Sequence, residues 1–148
     1  MKVYIGADHA GFELKNALAE HLRHANVEVV DCGASTLDDD DDYPRYAYSV
    51  VSKVMGEETD GRGLLICGSG QGMSMAANRV RGIFAALAWS AETAAAARED
   101  DHANVLVLPA RFVDEATATE AVDAWLAAEP KADPKYQRRL DEIEELYG

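Results

Sequence analysis

The chain has 148 residues, a length that suits one domain with a core large enough to need no disulfide staples. Its formal net charge is −13, from 14 Lys and Arg against 27 Asp and Glu, which excludes binding nucleic acid through a basic face. Cys32 and Cys67 are too few for a disulfide framework and read as free thiols of a reducing compartment, and no apolar run reaches the length of a membrane span. The opening MKVYIGADHAG turns polar too early for a signal peptide, so a cytoplasmic protein without a membrane partner is expected.

Short apolar runs alternate with helical patterns along the whole chain, residues 1–148, with no repeat or linker to divide it. KVYIGAD (2–8) reads as a first strand. Residues 10–25 repeat Leu14, Ala17, Leu18, Leu22 and Ala25 at helical spacing. VEVVDCG (27–33) is the second strand, and the five aspartates at 38–42 read as a solvated loop with only the last one near a motif. Pro44 opens a helix over 44–56. GRGLLICG (61–68), GIFAALAW (82–89) and NVLVLPA (104–110) are three further strands, with alanine-rich helices over 91–99 and 114–128. A last helix over 134–147 opens with Pro134 and carries Tyr136, Leu140, Ile143 and Tyr147 on one side. Such alternation predicts an α/β fold, a parallel sheet covered on both faces, with ligands bound beyond the carboxyl ends of the strands.

Chemistry is therefore sought at the strand ends, and the third carries CGSGQGMS, residues 67–74. Gly68, Gly70 and Gly72 allow unusual backbone angles and close approach of a ligand to the main chain. A helix starting near Gly72 would add free amides as an anion nest, with the Ser69 hydroxyl as a further donor. A thiol beside such a nest is a usable base or nucleophile, although a cysteine at a strand end is also commonly a small buried hydrophobe. The loop is not a Walker loop, because no Lys-Ser/Thr follows the glycines, and Met73 stands where a dinucleotide fingerprint needs its third glycine. No arginine closes it as in a cysteine phosphatase. Asp8 and His9 end the first strand and pair an acceptor for sugar hydroxyls with a donor for an anion, or serve as a cap and a surface histidine. They lie near Cys67 if the first and third strands are neighbours. Lys135 and Arg139 share a helix face, and with Arg111 after the last strand they form the cationic group most suited to a phosphate. No His/carboxylate spacing builds a metal site, so no metal and no cofactor is expected.

GADHAG at 6–11, DYP at 42–44, CGSGQGMS at 67–74, AANR at 76–79, ANVL at 103–106 and QRRLD at 137–141 occur in an order that resembles the ribose-5-phosphate isomerase B family. That family also holds galactose-6-phosphate and allose-6-phosphate isomerases. The resemblance runs from residue 2 to about 146. It implies a Rossmann-like three-layer α/β/α sandwich with a five-stranded parallel sheet. It also implies a homodimer, with tetramers as an extension, whose active sites are shared between subunits. The implied reaction is metal-free aldose–ketose isomerisation of a small phosphorylated sugar through an enediolate. Position by position, it makes Cys67 the base between C1 and C2, and Ser69 with the Gly68, Gly70, Gln71 and Gly72 loop the holder of the enediolate oxygen. It places Asp8, His9, Tyr43, Arg111, Lys135 and Arg139 against sugar and phosphate.

The sequence departs from the family where it reads Arg98-Glu99-Asp100-Asp101-His102-Ala103-Asn104. The family's ring-opening histidine is Asp100, the neighbouring asparagine is Asp101, and His102 lies two residues along. Phe84 and Lys135 stand where the family has arginine, and Tyr136 where it has histidine. A pentose 5-phosphate closes a ring that must be opened, whereas a tetrose 4-phosphate stays open-chain. The expectation is therefore a tetrose phosphate, erythrulose 4-phosphate going to erythrose 4-phosphate, with ribose 5-phosphate/ribulose 5-phosphate as the alternative. A non-catalytic phosphosugar-binding module is the alternative of another class, against which the intact Cys67, Ser69 and Asp8 argue. The altered run leads into the last strand at its amino end, while Cys67 sits at a carboxyl end on the opposite edge of the sheet. Asp100, Asp101 and His102 are thus expected to line the site of a second subunit.

Overall fold

A computed structural model describes residues 1–56 and 60–148. The apolar runs pair as five parallel strands: β1 (Lys2–Ala7), β2 (Glu28–Asp31), β3 (Gly61–Cys67), β4 (Ala85–Leu87) and β5 (Val105–Pro109), in the order β2-β1-β3-β5-β4. Between and after them lie α1 (Phe12–His24), α2 (Tyr43–Gly56), α3 (Gln71–Ala77), α4 (Ala91–Asp101), α5 (Glu115–Ala127) and α6 (Pro134–Tyr147). The expected sandwich with a five-stranded parallel sheet is the observed fold.

Residue alternation along the strands divides the core in two, as strands buried on both faces require. On one face Val3, Ile5, Leu64, Ile66, Leu106 and Leu108 pack with Leu18 and Leu22 of α1, Ala94 of α4 and Trp125 of α5. On the other, Tyr4, Leu65, Cys67, Val105 and Val107 meet Val50, Val51 and Val54 of α2 and Met73 and Ala77 of α3. Cys67 thus belongs to the layer under α2 and α3. Trp125 is fully buried, and its Nε1 donates to the Ala103 carbonyl at 3.0 Å, so the largest core side chain leaves no polar atom unpaired. Arg62, 4% exposed, lies over that ring and donates to Asp60 and to the Trp125 and Leu126 carbonyls, which offsets its desolvation.

Two elements differ from the sequence expectation for local reasons. The fourth strand is three residues long rather than eight, because Gly82 takes φ +84° and the main chain that follows pairs with side chains. Asn104 accepts from Phe84 N and donates to Gly82 O, while Asn78 accepts from Ala85 N and donates to Ala85 O. The AANR and ANVL motifs therefore brace the start of β4. In α6, only Leu140 is buried; Tyr147 is 83% exposed and Ile143 45%, so the expected apolar side is mostly uncovered in one chain.

Gly11 sets how closely the turn after β1 approaches β3. A Cβ there would stand 2.6 Å from Ile66 Cγ2 and 2.8 Å from the Ile66 carbonyl oxygen, and the backbone oxygen cannot step aside. Gly11→Ala should therefore lower stability by about 1–3 kcal/mol, as overpacking does. A urea titration unchanged from wild type would show that the turn is not pinned there.

Candidate active site

The β1–β3 register pairs Ala7 with Ile66, so Asp8 emerges beside Cys67 as the sequence reading required. On the other side Cys67 pairs with Pro109, and the ladder continues past the strands: Ala110 N donates to Cys67 O and Arg111 N to Gly68 O, each at 2.9 Å. The thiol, 4% exposed, sits between the ends of β1 and β5. Gly68 is where the Arg111 side chain lies: a Cβ would be 2.7 Å from the guanidinium Cζ. Gly72 does the same for the Tyr43 ring, whose Cε1 would be 2.7 Å from a Cβ. Gly70, at φ +75°, caps α3 in the left-handed region that glycine enters freely. Gln71 opens the helix, one residue before Gly72, and its amide meets Ser69 Oγ at 3.4 Å; Ser74 Oγ donates to Gly70 O. The first-turn amides of α3 have no carbonyl partner within the helix and face the loop end. One end of one chain thus gathers Asp8, His9, Tyr43, Cys67, Gly68, Ser69, Gly70, Gln71, Gly72 and Arg111.

Asp8, 7% exposed, caps the turn at His9–Gly11, its Oδ1 accepting from Ala10 N at 3.0 Å and Gly11 N at 3.3 Å. The aspartate run is the expected solvated loop at Asp38, Asp39, Asp40 and Asp42, but not at Asp41. Asp41 Oδ1 accepts from the His9 amide at 2.8 Å and lies 2.9 Å from His9 Nδ1, while Tyr46 Oη donates to Asp41 Oδ2 at 3.0 Å. Its hydrogen bond to Asp41 holds the His9 imidazole above the ordinary histidine range, against a smaller opposing effect of desolvation. Burial pushes the Asp41 carboxyl up, but the bonds from His9 and Tyr46 outweigh it and hold the group below its usual range. Burial and the Asp41 bond push the Tyr46 phenol up. Nothing in the spacing of five identical aspartates distinguishes the fourth, so this contact was invisible to sequence reasoning. A second group it missed is Lys15, which is 1% exposed and donates to Asp31 at 2.7 Å and to Ala34 O at 3.1 Å, tying α1 to the carboxyl end of β2.

The remaining candidates lie at the amino end of the sheet. Because β3 and β5 are adjacent, their distance from Cys67 runs along the strands, not across to an opposite edge. Eight residues separate His102 from Arg111, five of them the strand β5, which alone spans about 16 Å. His102 ends α4 at φ 49°, and its Nε2 and the Arg98 Nε are buried without a partner among the described residues. Asp100 accepts from Lys131 Nζ at 2.6 Å, and Asp101 is exposed beside it. Lys135 Nζ and Arg139 Cζ stand 5.1 and 5.7 Å from the Tyr136 ring, with Lys131 Nζ at 5.4 Å. One chain therefore groups Asp100, Asp101, His102, Lys135 and Arg139, but apart from Arg111 and Cys67.

The arrangement, a glycine loop at a strand end with a buried thiol and an arginine laid over it, defines an α/β enzyme built for a small anionic substrate. The profile of the ribose/galactose isomerase family matches residues 3–143. The chain is 44% identical over 141 residues to a probable ribose-5-phosphate isomerase B of Mycoplasma genitalium, covering 95% of this chain and 92% of that protein. It is 41% identical over 145 residues to ribose-5-phosphate isomerase B of Mycobacterium tuberculosis, covering 98% and 89%. Among solved structures, the Mycoplasma genitalium enzyme with bound ribulose-5-phosphate superposes with a TM-score of 0.93 at 43% identity, over 97% of this chain and 94% of that one. A ribose 5-phosphate isomerase from Thermotoga maritima gives 0.92 at 41%, over 98% of each. The chain belongs to the ribose/galactose isomerase family, and it is an isomerase. No helix among the described residues is long and apolar enough to cross a membrane.

Gly68 allows the contact with Arg111 to be tested without replacing Arg111 or Cys67. The atoms nearest an alanine Cβ there all belong to the flexible end of the Arg111 side chain. Gly68→Ala should cost under about 1 kcal/mol of stability, yet raise KM about tenfold, the equivalent of 1.4 kcal/mol. An unchanged KM would show that the guanidinium does not serve the substrate from this position.

Proposed function

We propose that the protein interconverts ribose 5-phosphate and ribulose 5-phosphate. The observation that carries the proposal is the buried Cys67 thiol set between Asp8 and Arg111 in the glycine loop. In the aldose-to-ketose direction the Cys67 thiolate removes the proton from C2. The electron pair forms the C1–C2 double bond, and O1 becomes the enediolate oxygen. Ser69 Oγ and the loop amides stabilise that charge, each good donor contributing about 3–4 kcal/mol. Cys67 returns the proton to C1 while the O2 proton passes to O1, leaving the C2 ketone. Acid–base catalysis of this kind contributes roughly two to four orders of magnitude.

The five-carbon substrate is supported by the relatives, which are named for ribose 5-phosphate, one of them holding ribulose-5-phosphate. The preference for a four-carbon sugar rested on Asp100 in place of a histidine. Asp100 is engaged with Lys131, so its carboxylate already has a partner, and the replacement does not by itself argue for a shorter substrate. The ribose reading is the better supported of the two.

The reading includes a site completed by a second copy of the chain. An extended pentose phosphate spans roughly 8 Å with bonds near 1.5 Å, about half the length of β5. One sugar at Cys67 cannot reach Asp101, Lys135 and Arg139 of the same chain. A second copy turned end to end presents them, with Lys135 and Arg139 as phosphate ligands.

The test is turnover of purified protein on ribose 5-phosphate and on erythrulose 4-phosphate, for wild type and Cys67→Ala. The expected result is a higher kcat/KM on ribose 5-phosphate. Cys67→Ala should lose about a hundredfold to ten-thousandfold in kcat with little change in substrate Kd. Preference for the tetrulose ester would overturn the substrate, and wild-type turnover by Cys67→Ala would remove the thiol from the mechanism.

A further inference from the structure

We propose that Asp41 is a positioning residue of this site: it grips the His9 imidazole at Nδ1 and leaves Nε2 to donate to the phosphate of the sugar. The inference rests on the isomerase reading above and adds to it a residue in a run that otherwise faces solvent. Asp41 has a side chain only 8% exposed, while Asp38, Asp39, Asp40 and Asp42 around it are exposed. The hydrogen bonds its side chain accepts converge on one task. One oxygen takes the His9 amide at 2.8 Å and the His9 Nδ1 at 2.9 Å, and the other takes the Tyr46 hydroxyl at 3.0 Å. Main chain and ring of His9 are thereby fixed together, two residues beyond the end of β1.

The tautomer follows from the donor count. A carboxylate only accepts, so Nδ1 must carry the proton that it shares with Asp41. A neutral ring then has a bare Nε2, which accepts and cannot bind a phosphate oxygen. The ring donates from Nε2 only as the imidazolium. Asp41 therefore couples orientation to charge: the state that satisfies Asp41 and a phosphate together is the cation. The charged and titratable groups facing His9 are Asp8 from its own turn, Asp41 from the loop before α2, and, through Asp41, Tyr46 of α2 with Asp38 nearby. The carboxylates favour the cation, in keeping with a titration held above the ordinary range by the Asp41 bond. The sign is that of a raised group: the donor is present below the raised value and lost as pH climbs through it. Without Asp41 the loss moves to lower pH.

The experiment follows the imidazole nitrogens of 15N-histidine-labelled protein by NMR across pH, with and without inorganic phosphate, for wild type, Asp41→Asn and Asp41→Glu. The His9 signals are assigned by their absence in His9→Gln. Steady-state KM for ribose 5-phosphate is measured over the same range. In wild type His9 should titrate above about pH 6.5, with the proton on Nδ1 in the neutral form, and phosphate should perturb Nε2. Asp41→Asn should return the titration to the ordinary range and weaken phosphate binding above it, while Asp41→Glu keeps most of the elevation. The KM ratio of Asp41→Asn to wild type should be near one at low pH. It should climb with pH toward about tenfold for each pH unit that separates the two titrations. Identical His9 titrations in wild type and Asp41→Asn would overturn the proposal, as would a KM ratio independent of pH, which is what a purely structural role gives. Failure to turn over ribose 5-phosphate would sink the substrate reading alone, because the NMR titrations need no turnover.

Discussion

The pairing of β1 with β3 is the constraint on which the catalytic end depends. The chain makes β2 on one side of β1, returns to lay β3 on the other, and then continues to β4 and β5 beyond β3. A crevice opens at such a reversal, because the connections leaving β1 and β3 run to opposite faces. The register carries Asp8 to the level of Cys67, and β5 brings Arg111 to the same level from the other side. Small residues make the approach possible. Gly11 lets the first turn lie on Ile66, Gly68 admits Arg111, and Gly72 admits Tyr43. The loop thus does two things with its glycines: it bends at Gly70, and it leaves room where the Arg111 and Tyr43 side chains lie.

Electrostatics at the site are local because the chain as a whole repels anions. With a net charge of −13, the protein attracts a phosphorylated sugar only where cations are concentrated and carboxylates are occupied. Asp41 is bound to His9 and Tyr46, Asp31 to Lys15, and Asp100 to Lys131, so acids close to both groups of candidate residues already have partners. The exposed pairs add little stability. Among the candidate cations, Arg111 lies at one end of the sheet and Arg139 beside Tyr136 at the other, where Lys135 also has Asp133 at 3.9 Å.

Much of this was legible in the sequence because strands buried on both faces leave continuous apolar runs, and because a ligand loop leaves glycines where propensity would not put them. The parallel sheet and its ends followed from those two signals, and the grouping of Asp8 with Cys67 was expected on the condition, met in the structure, that the first and third strands are neighbours. What was not legible depended on pairing between distant side chains and main chain. The asparagines at 78 and 104 shorten β4 by bonding its backbone, and no periodicity encodes that. The fourth of five aspartates is singled out only by where His9 comes to rest. Lys15 looks like a surface lysine on a helix until β2 places Asp31 over it. The length of the substrate was inferred from one substituted position, Asp100, whereas the relatives of the chain are named for ribose 5-phosphate.

The central claim is that the two groups of residues, one sheet-length apart in a single chain, meet across two chains turned end to end. The direct measurement mixes Cys67→Ala protein with Asp101→Arg protein, each inactive alone, under conditions where subunit exchange is proven by mass-tagged copies. Half of randomly paired dimers would be hybrids with one of two sites intact, so about a quarter of wild-type activity should return. Proven exchange with no recovered activity would contradict the account.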